Sequence, residues 1–140
     1  MSIRLPALLG CVLLTAAAPA HQEPAAPVES MLRGEWRNTN DTVHLRVDRC
    51  GEGYCGTVIW AIDKARSDAK RGSGKDLIGS ELLRDLRPQG EGKWRGKVFI
   101  PDINADGTAM VTRVDDSTLL ISGCVFLGLA CKTQHWWRLH

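Results

Sequence analysis

Residues 43–60 read VHLRVDRCGEGYCGTVIW, and this stretch decides the fold class. On the first arm Val43, Leu45 and Val47 alternate with His44, Arg46 and Asp48. That is the period of two of a half-buried strand. The second arm, Thr57-Val58-Ile59-Trp60, is β-branched and aromatic, as a pleated surface favours. Gly51-Glu52-Gly53-Tyr54 joins the arms as a four-residue connection whose glycines supply positive φ. Cys50 and Cys55 then face each other across the hairpin end, within disulfide reach.

Working outward, the chain repeats this pattern. Residues 34–39, 42–49, 54–61, 80–86, 94–100, 108–115, 118–124 and 132–139 read as eight short strands. Residues 63–76, DKARSDAKRGSGKD, lack apolar periodicity and contain Gly72-Ser73-Gly74, so they read as a long polar loop with a helical turn. Eight antiparallel strands in succession predict an all-β, up-and-down barrel, with a two-sheet sandwich as the alternative.

Residues 1–20 read as a signal peptide. Arg4 precedes an apolar run, and Ala18-Pro19-Ala20 forms a small-x-small cleavage site. Leu8-Leu9-Gly10-Cys11 resembles a lipobox, but too few apolar residues precede Cys11 and the apolar run continues beyond it. The expected location is the periplasm or the exterior, after cleavage near Ala20. Residues 21–32 read as a flexible leader rich in Pro, Ala and Glu at its start, and residues 33–140 as one barrel domain. No later stretch is long and apolar enough to span a bilayer, so an integral membrane protein is not expected. Without Arg4, 17 Lys and Arg face 16 Asp and Glu, a balance that makes no electrostatic case for nucleic acid or an anionic membrane surface as a partner.

Four cysteines remain beyond Cys11, and four allow three connectivities. Pairing Cys50 with Cys55 and Cys124 with Cys131 follows if both pairs bracket hairpin ends. The spacings C-x4-C and C-x6-C suit disulfides in an exported chain better than zinc.

Motifs at the two ends are more specific. Gly34-x-Trp36 on the first strand and Arg138 on the last resemble the calycin pattern of lipocalins, fatty-acid-binding proteins and avidins. That resemblance implies a Trp plugging one barrel end with a cation stacked on it, an attraction that leaves the guanidinium free to reach carbonyls. The domain as a whole resembles the bacterial family called domain of unknown function 2147, over residues 33–139. The residues that carry this are Gly34-Glu35-Trp36, Cys50-Gly51, Tyr54-Cys55-Gly56, Leu77-Ile78-Gly79, Trp94-Arg95-Gly96, Pro101, Gly123-Cys124, Cys131, Thr133-Gln134, Trp136 and Arg138. The resemblance implies a small exported bacterial domain, largely β, with no activity to carry over. In place of the family's short turn after Pro101 stands a longer one, residues 102–107, and Met110 stands near the position of a family Tyr.

That turn, D-I-N-A-D-G, matches the first six positions of a calcium loop, with Asp102, Asn104 and Asp106 as oxygen donors. Arg113 occupies the twelfth position where a bidentate Glu belongs, so the stretch reads as a hairpin turn stabilised by Asp and Asn. Ser67-x-x-Lys70 has no companion motifs, and residues 70–75 lack the first Gly of a phosphate loop. No catalytic constellation emerges, no cofactor is implied, and the expectation is a protein that is not an enzyme. The informative excess is Trp: Trp36, Trp60, Trp94, Trp136 and Trp137. Trp136 and Trp137 must point to opposite faces of their strand. Trp60, Trp94 and Trp136 are the candidates to line a binding cavity. Two functions are expected on these grounds. One is an envelope protein that binds a small apolar ligand. The other is a filled barrel that acts by contact with an envelope protein, a stress factor or hydrolase inhibitor presenting its basic loop.

Overall fold

The computed structural model describes residues 31–140, together with Gly10, Leu14 and residues 16–20. Of the expected signal peptide, this set includes Gly10, Leu14 and residues 16–20 with the Ala18-Pro19-Ala20 site; the other residues of 1–20, and residues 21–30 of the expected leader, lie outside it. In chain order come β1 (Gly34–Asn38), β2 (Val43–Cys50), β3 (Gly53–Ala61), helix α1 (Asp63–Ser73), β4 (Glu81–Pro88) and β5 (Lys93–Ile100). A 3-10 turn (Pro101–Ile103), β6 (Ala105–Asp115), β7 (Thr118–Val125) and β8 (Ala130–Arg138) complete it. Every strand pairs antiparallel with the next, and β8 returns to β1, so the sheet closes on itself as an eight-stranded up-and-down barrel. Closure leaves no edge strand to cover and excludes the two-sheet sandwich.

The closed end is built where the first and last strands meet. Trp36 is buried, and its indole N–H donates to the Leu32 carbonyl at 3.1 Å. The Arg138 guanidinium lies 4.2 Å from the Trp36 ring centroid. It also donates to three carbonyls, those of Met31 at 2.8 Å, Arg33 at 2.8 Å and Asp116 at 3.0 Å. Burial draws the Arg138 pKa down, Asp116 opposes that and Arg113 adds to it, yet a guanidinium stays charged at any working pH. Gly34 makes the arrangement possible, because a Cβ there would run into Arg138 Nη1. The boundary expected between leader and domain therefore moves. Leu32 is wholly buried in the core and Met31 receives an Arg138 hydrogen bond, so both belong to the folded unit.

Above this floor the lower half of the barrel is filled by Val47, Tyr54, Leu86, Trp94, Val111 and Leu119, all buried. Leu83 and Leu86 both point inward although three residues apart. A bulge at Asp85, which has φ 49°, breaks the β4–β5 register and returns Leu86 to the interior.

One disulfide staples each end. Cys50–Cys55 sits at the closed end and Cys124–Cys131 at the open end. The first hairpin is tighter than its sequence predicts. Cys50 lies opposite Gly53 and Cys55 opposite Asp48, so the connection is the two residues Gly51 and Glu52 and the disulfide runs diagonally. Its Cα atoms are 5.8 Å apart, which a disulfide spans.

The expected polar loop is corrected to a helix of 11 residues. Small residues carry its apolar stripe: Ala69 is fully buried and Ala65 packs against the core. Lys64 pairs with Asp68 at 2.7 Å and Arg71 pairs with the same carboxylate. Asp63 opens the helix, Lys70 and Arg71 close it, and Gly74 caps it at φ 74° by donating to the Lys70 carbonyl. The residue 102–107 turn is also corrected. Asn104, at φ 48°, ends the 3-10 turn and β6 begins at Ala105, so Asp106 is already paired opposite Phe99.

Arg138→Met strips three carbonyls of a charged donor and is expected to cost about 2–4 kcal/mol in urea unfolding. Gly34→Ala should also destabilise. The double variant should lose less than the sum of the two, because both disrupt the same seat.

Candidate ligand-binding site

Sequential hairpins place the β1–β2, β3–β4, β5–β6 and β7–β8 connections at the end opposite Arg138. At that end the barrel is not filled. A cavity of about 480 Å³ opens there, within the range that holds a small ligand. Its walls are apolar, with Leu45, Leu83, Val98 and Ile121 on four strands and Leu77 from the segment after α1. Alternation on β8 sends Lys132, Gln134 and Trp136 to this cavity, and Trp137 outward beneath Arg37, 5.0 Å from its ring centroid. Polar groups gather at the mouth: Asn40, Lys64, Asp68, Asp102, Lys132 and Gln134.

Buried Asn38 shapes one side of the mouth. Its side-chain oxygen accepts from the amides of Thr42 at 2.8 Å and Val43 at 3.1 Å, and its amide donates to Thr42 Oγ1 at 2.8 Å. Those three bonds satisfy a group that is costly to bury bare. Helix α1 forms the opposite side. It seats on the 3-10 turn through Gly72, where a Cβ would overlap the Pro101 and Asp102 carbonyl oxygens. That close approach holds Lys64, Ala65 and Asp68 over the cavity. Asp68 is held below the ordinary carboxylate range, chiefly by the Lys64 hydrogen bond, against a partial desolvation and with help from Arg71.

The three candidate tryptophans part company. Trp136 lines the cavity. Trp94 is wholly buried but sits in the filled half, where it packs the core. Trp60 is corrected to the outer face: it is 44% exposed and rests on His44, ring centroids 4.4 Å apart. Met110, between fully buried Ala109 and Val111, also faces outward, so a substitution at this position does not reshape the cavity. Asp102 lines the mouth but Asp106 reaches Arg84 at 3.4 Å, and no cluster of three or more His, Cys, Asp and Glu able to hold a metal occurs among the described residues. Lys132 and Gln134 escaped the sequence reading, although the Trp136 periodicity places them four and two residues back on the same face.

Residues 34–138 match a family described as an uncharacterized protein conserved in bacteria (DUF2147). The chain belongs to this family. No curated protein matches the sequence. Among solved structures the fold is similar to protein HP1028 from the human pathogen Helicobacter pylori, described as belonging to the lipocalin family. The TM-score is 0.60 with 16% identity, covering 78% of this chain and 83% of that one. The DUF2147 domain of this chain thus has a lipocalin-like barrel.

Two outcomes test the mouth. Gly72→Val should lift α1 from its seat, seen as faster amide exchange across Asp63–Ser73 with the strands unchanged. The lowered Asp68 pKa means its ion pairs contribute fully above 3.8, its ordinary value, and fade as the pH falls through the lower folded value. Thermal midpoints below pH 4 should therefore fall less steeply in Asp68→Asn than in the wild type.

Proposed function

We propose that this protein binds a small, largely apolar ligand in the open half of the barrel, and does so outside the cytoplasm. The observation that carries the reading is the division of the interior: a packed floor, then a cavity of about 480 Å³ with hydrocarbon walls and a polar mouth. Apolar walls contribute affinity by removing ligand surface from water, and a few polar groups fix its orientation. A ligand with one polar end seats that end at Lys132, Gln134 and Asn40 and its body against Leu83, Ile121 and Trp136. The two disulfides fit an oxidising compartment, and the signal-peptide reading of residues 1–20 provides the route to it. The lipocalin membership stated for HP1028 is in keeping with ligand binding, and the proposed role is carriage or capture rather than catalysis. The filled-barrel alternative has less support, since its premise was an interior without room and its basic loop is a helix packed on the mouth.

Gly123 offers a clean test. A Cβ there would stand 3.4 and 3.5 Å from the two Val98 methyls, ordinary contact distances, and it borders the cavity. Gly123→Leu should fill the space while keeping the fold. Titration with N-phenyl-1-naphthylamine, an apolar fluorophore of suitable size, should give saturable binding to the wild type. Gly123→Leu should weaken that binding at least tenfold. Equal binding by both proteins, or none by the wild type, refutes the assignment of the cavity.

A further inference from the structure

The β7–β8 connection reads V-F-L-G-L-A between Cys124 and Cys131, and its apolar side chains stand in water. Phe126 is 59% exposed, Leu129 88% and Leu127 wholly so. Their backbone is unusual too. Phe126 at φ 53° and Leu127 at φ 58° are both left-handed, a conformation bulky residues avoid, with Gly128 at φ 83° after them. Strain of this kind persists only where the surroundings impose it, and here the Cys124–Cys131 bridge closes the loop at its base. Exposed Ile103 in the β5–β6 turn and half-exposed Ile78 before β4 lie at the same end of the barrel. Among the described residues from 31 onward, only Val114 and Trp60 join these five as exposed large apolar side chains, and both lie on the barrel's sides.

We propose that this loop is a membrane anchor, which sets the open end of the barrel on the leaflet of an anionic phospholipid bilayer. Charge favours that surface. From Ser117 to His140 the chain has no Asp or Glu, and of its two basic residues Lys132 stands at the open end beside the loop, Arg138 at the closed end. Lys132 follows the loop immediately and makes no ion pair among the described residues. The whole chain is nearly balanced in charge, so this hairpin is a local asymmetry. An apolar tip backed by a cation is the composition of interfacial attachment. Size argues against a second copy as the occupant. Three or four side chains bury a few hundred Å² at most, well short of the roughly 800 Å² per partner of a stable complex. A bilayer needs only the tip. The attachment does not depend on what the cavity holds, although it would place the mouth facing the lipid.

The test is co-sedimentation with vesicles of phosphatidylglycerol and phosphatidylcholine, using the chain as purified from a bacterial host, wild type and variants side by side. Any contribution of the N-terminal segment is then common to all. Leu127→Gly and Phe126→Asn both suit the positive φ, so they remove the apolar groups without threatening the fold. The double variant should keep or raise the thermal midpoint and lose at least fivefold in bound fraction. In Leu129→Trp, brominated lipid should quench the added indole. Sedimentation of the double variant equal to wild type, or an added indole that brominated lipid leaves unquenched, overturns the anchor. So does a wild-type dimer in gel filtration that the double variant dissolves, because a second copy then owns the tip. Fluorophore binding in the cavity reads the other proposal separately.

Discussion

A guanidinium resting on an indole closes this barrel, and much else follows from that contact. Arg138 is nearly the last residue of the fold and Trp36 nearly the first, so their stacking joins the last strand to the first where β8 meets β1. The same cation takes the carbonyls of Met31, Arg33 and Asp116, three acceptors that the strand ladder does not satisfy. The Met31 carbonyl is the part-buried one of the three, where an unmade bond would cost more than a made one returns. Gly34 is small for this reason as much as for its conformation, because the guanidinium occupies the space a side chain would take.

With one end sealed, the other is free to be hollow. Eight strands enclose room for either side chains or one small ligand. Here the choice is split along the axis: Trp36, Trp94, Leu86 and Leu119 fill the lower half, and the upper half stays open. Cohesion and binding are therefore supplied by different residues. The open rim tolerates features a sealed end could not, including a polar mouth and two bulky residues held left-handed.

Strand order and the sealed end were legible in the sequence because their signals are local. Alternation from Val43 to Val47 and the Gly34-x-Trp36 motif need no distant partner to be read. Helix α1 was not legible. Its apolar stripe is Ala65 and Ala69, too small to outweigh the charges around it, and only the mouth of a barrel gives such a stripe something to cover. The bulge at Asp85 was hidden for a related reason: a one-residue insertion reverses the strand's parity, and only the neighbours' register reveals it. Of the site, Trp136 was reached by composition while Trp60 was misplaced, since an aromatic at a strand end fits either face until a partner such as His44 is known.

The loop from Phe126 to Leu129 shows how a tight closure redirects what a sequence means. A run such as V-F-L-G-L-A reads as core in almost any context, and a strand continuing through it would have buried alternate members. Bridging Cys124 to Cys131 ends the ladder at Val125 and Ala130 instead, leaving four residues to reverse the chain. Four residues are too few to fold their side chains back over the mouth, so the apolar groups point away from the barrel. A conformational cost at Phe126 and Leu127 is thereby accepted in a domain whose stability is secured at the opposite end. Selection for stability alone would place Gly or Asn at those two positions. Phe and Leu stand there instead, with their side chains in water at the rim rather than in the core.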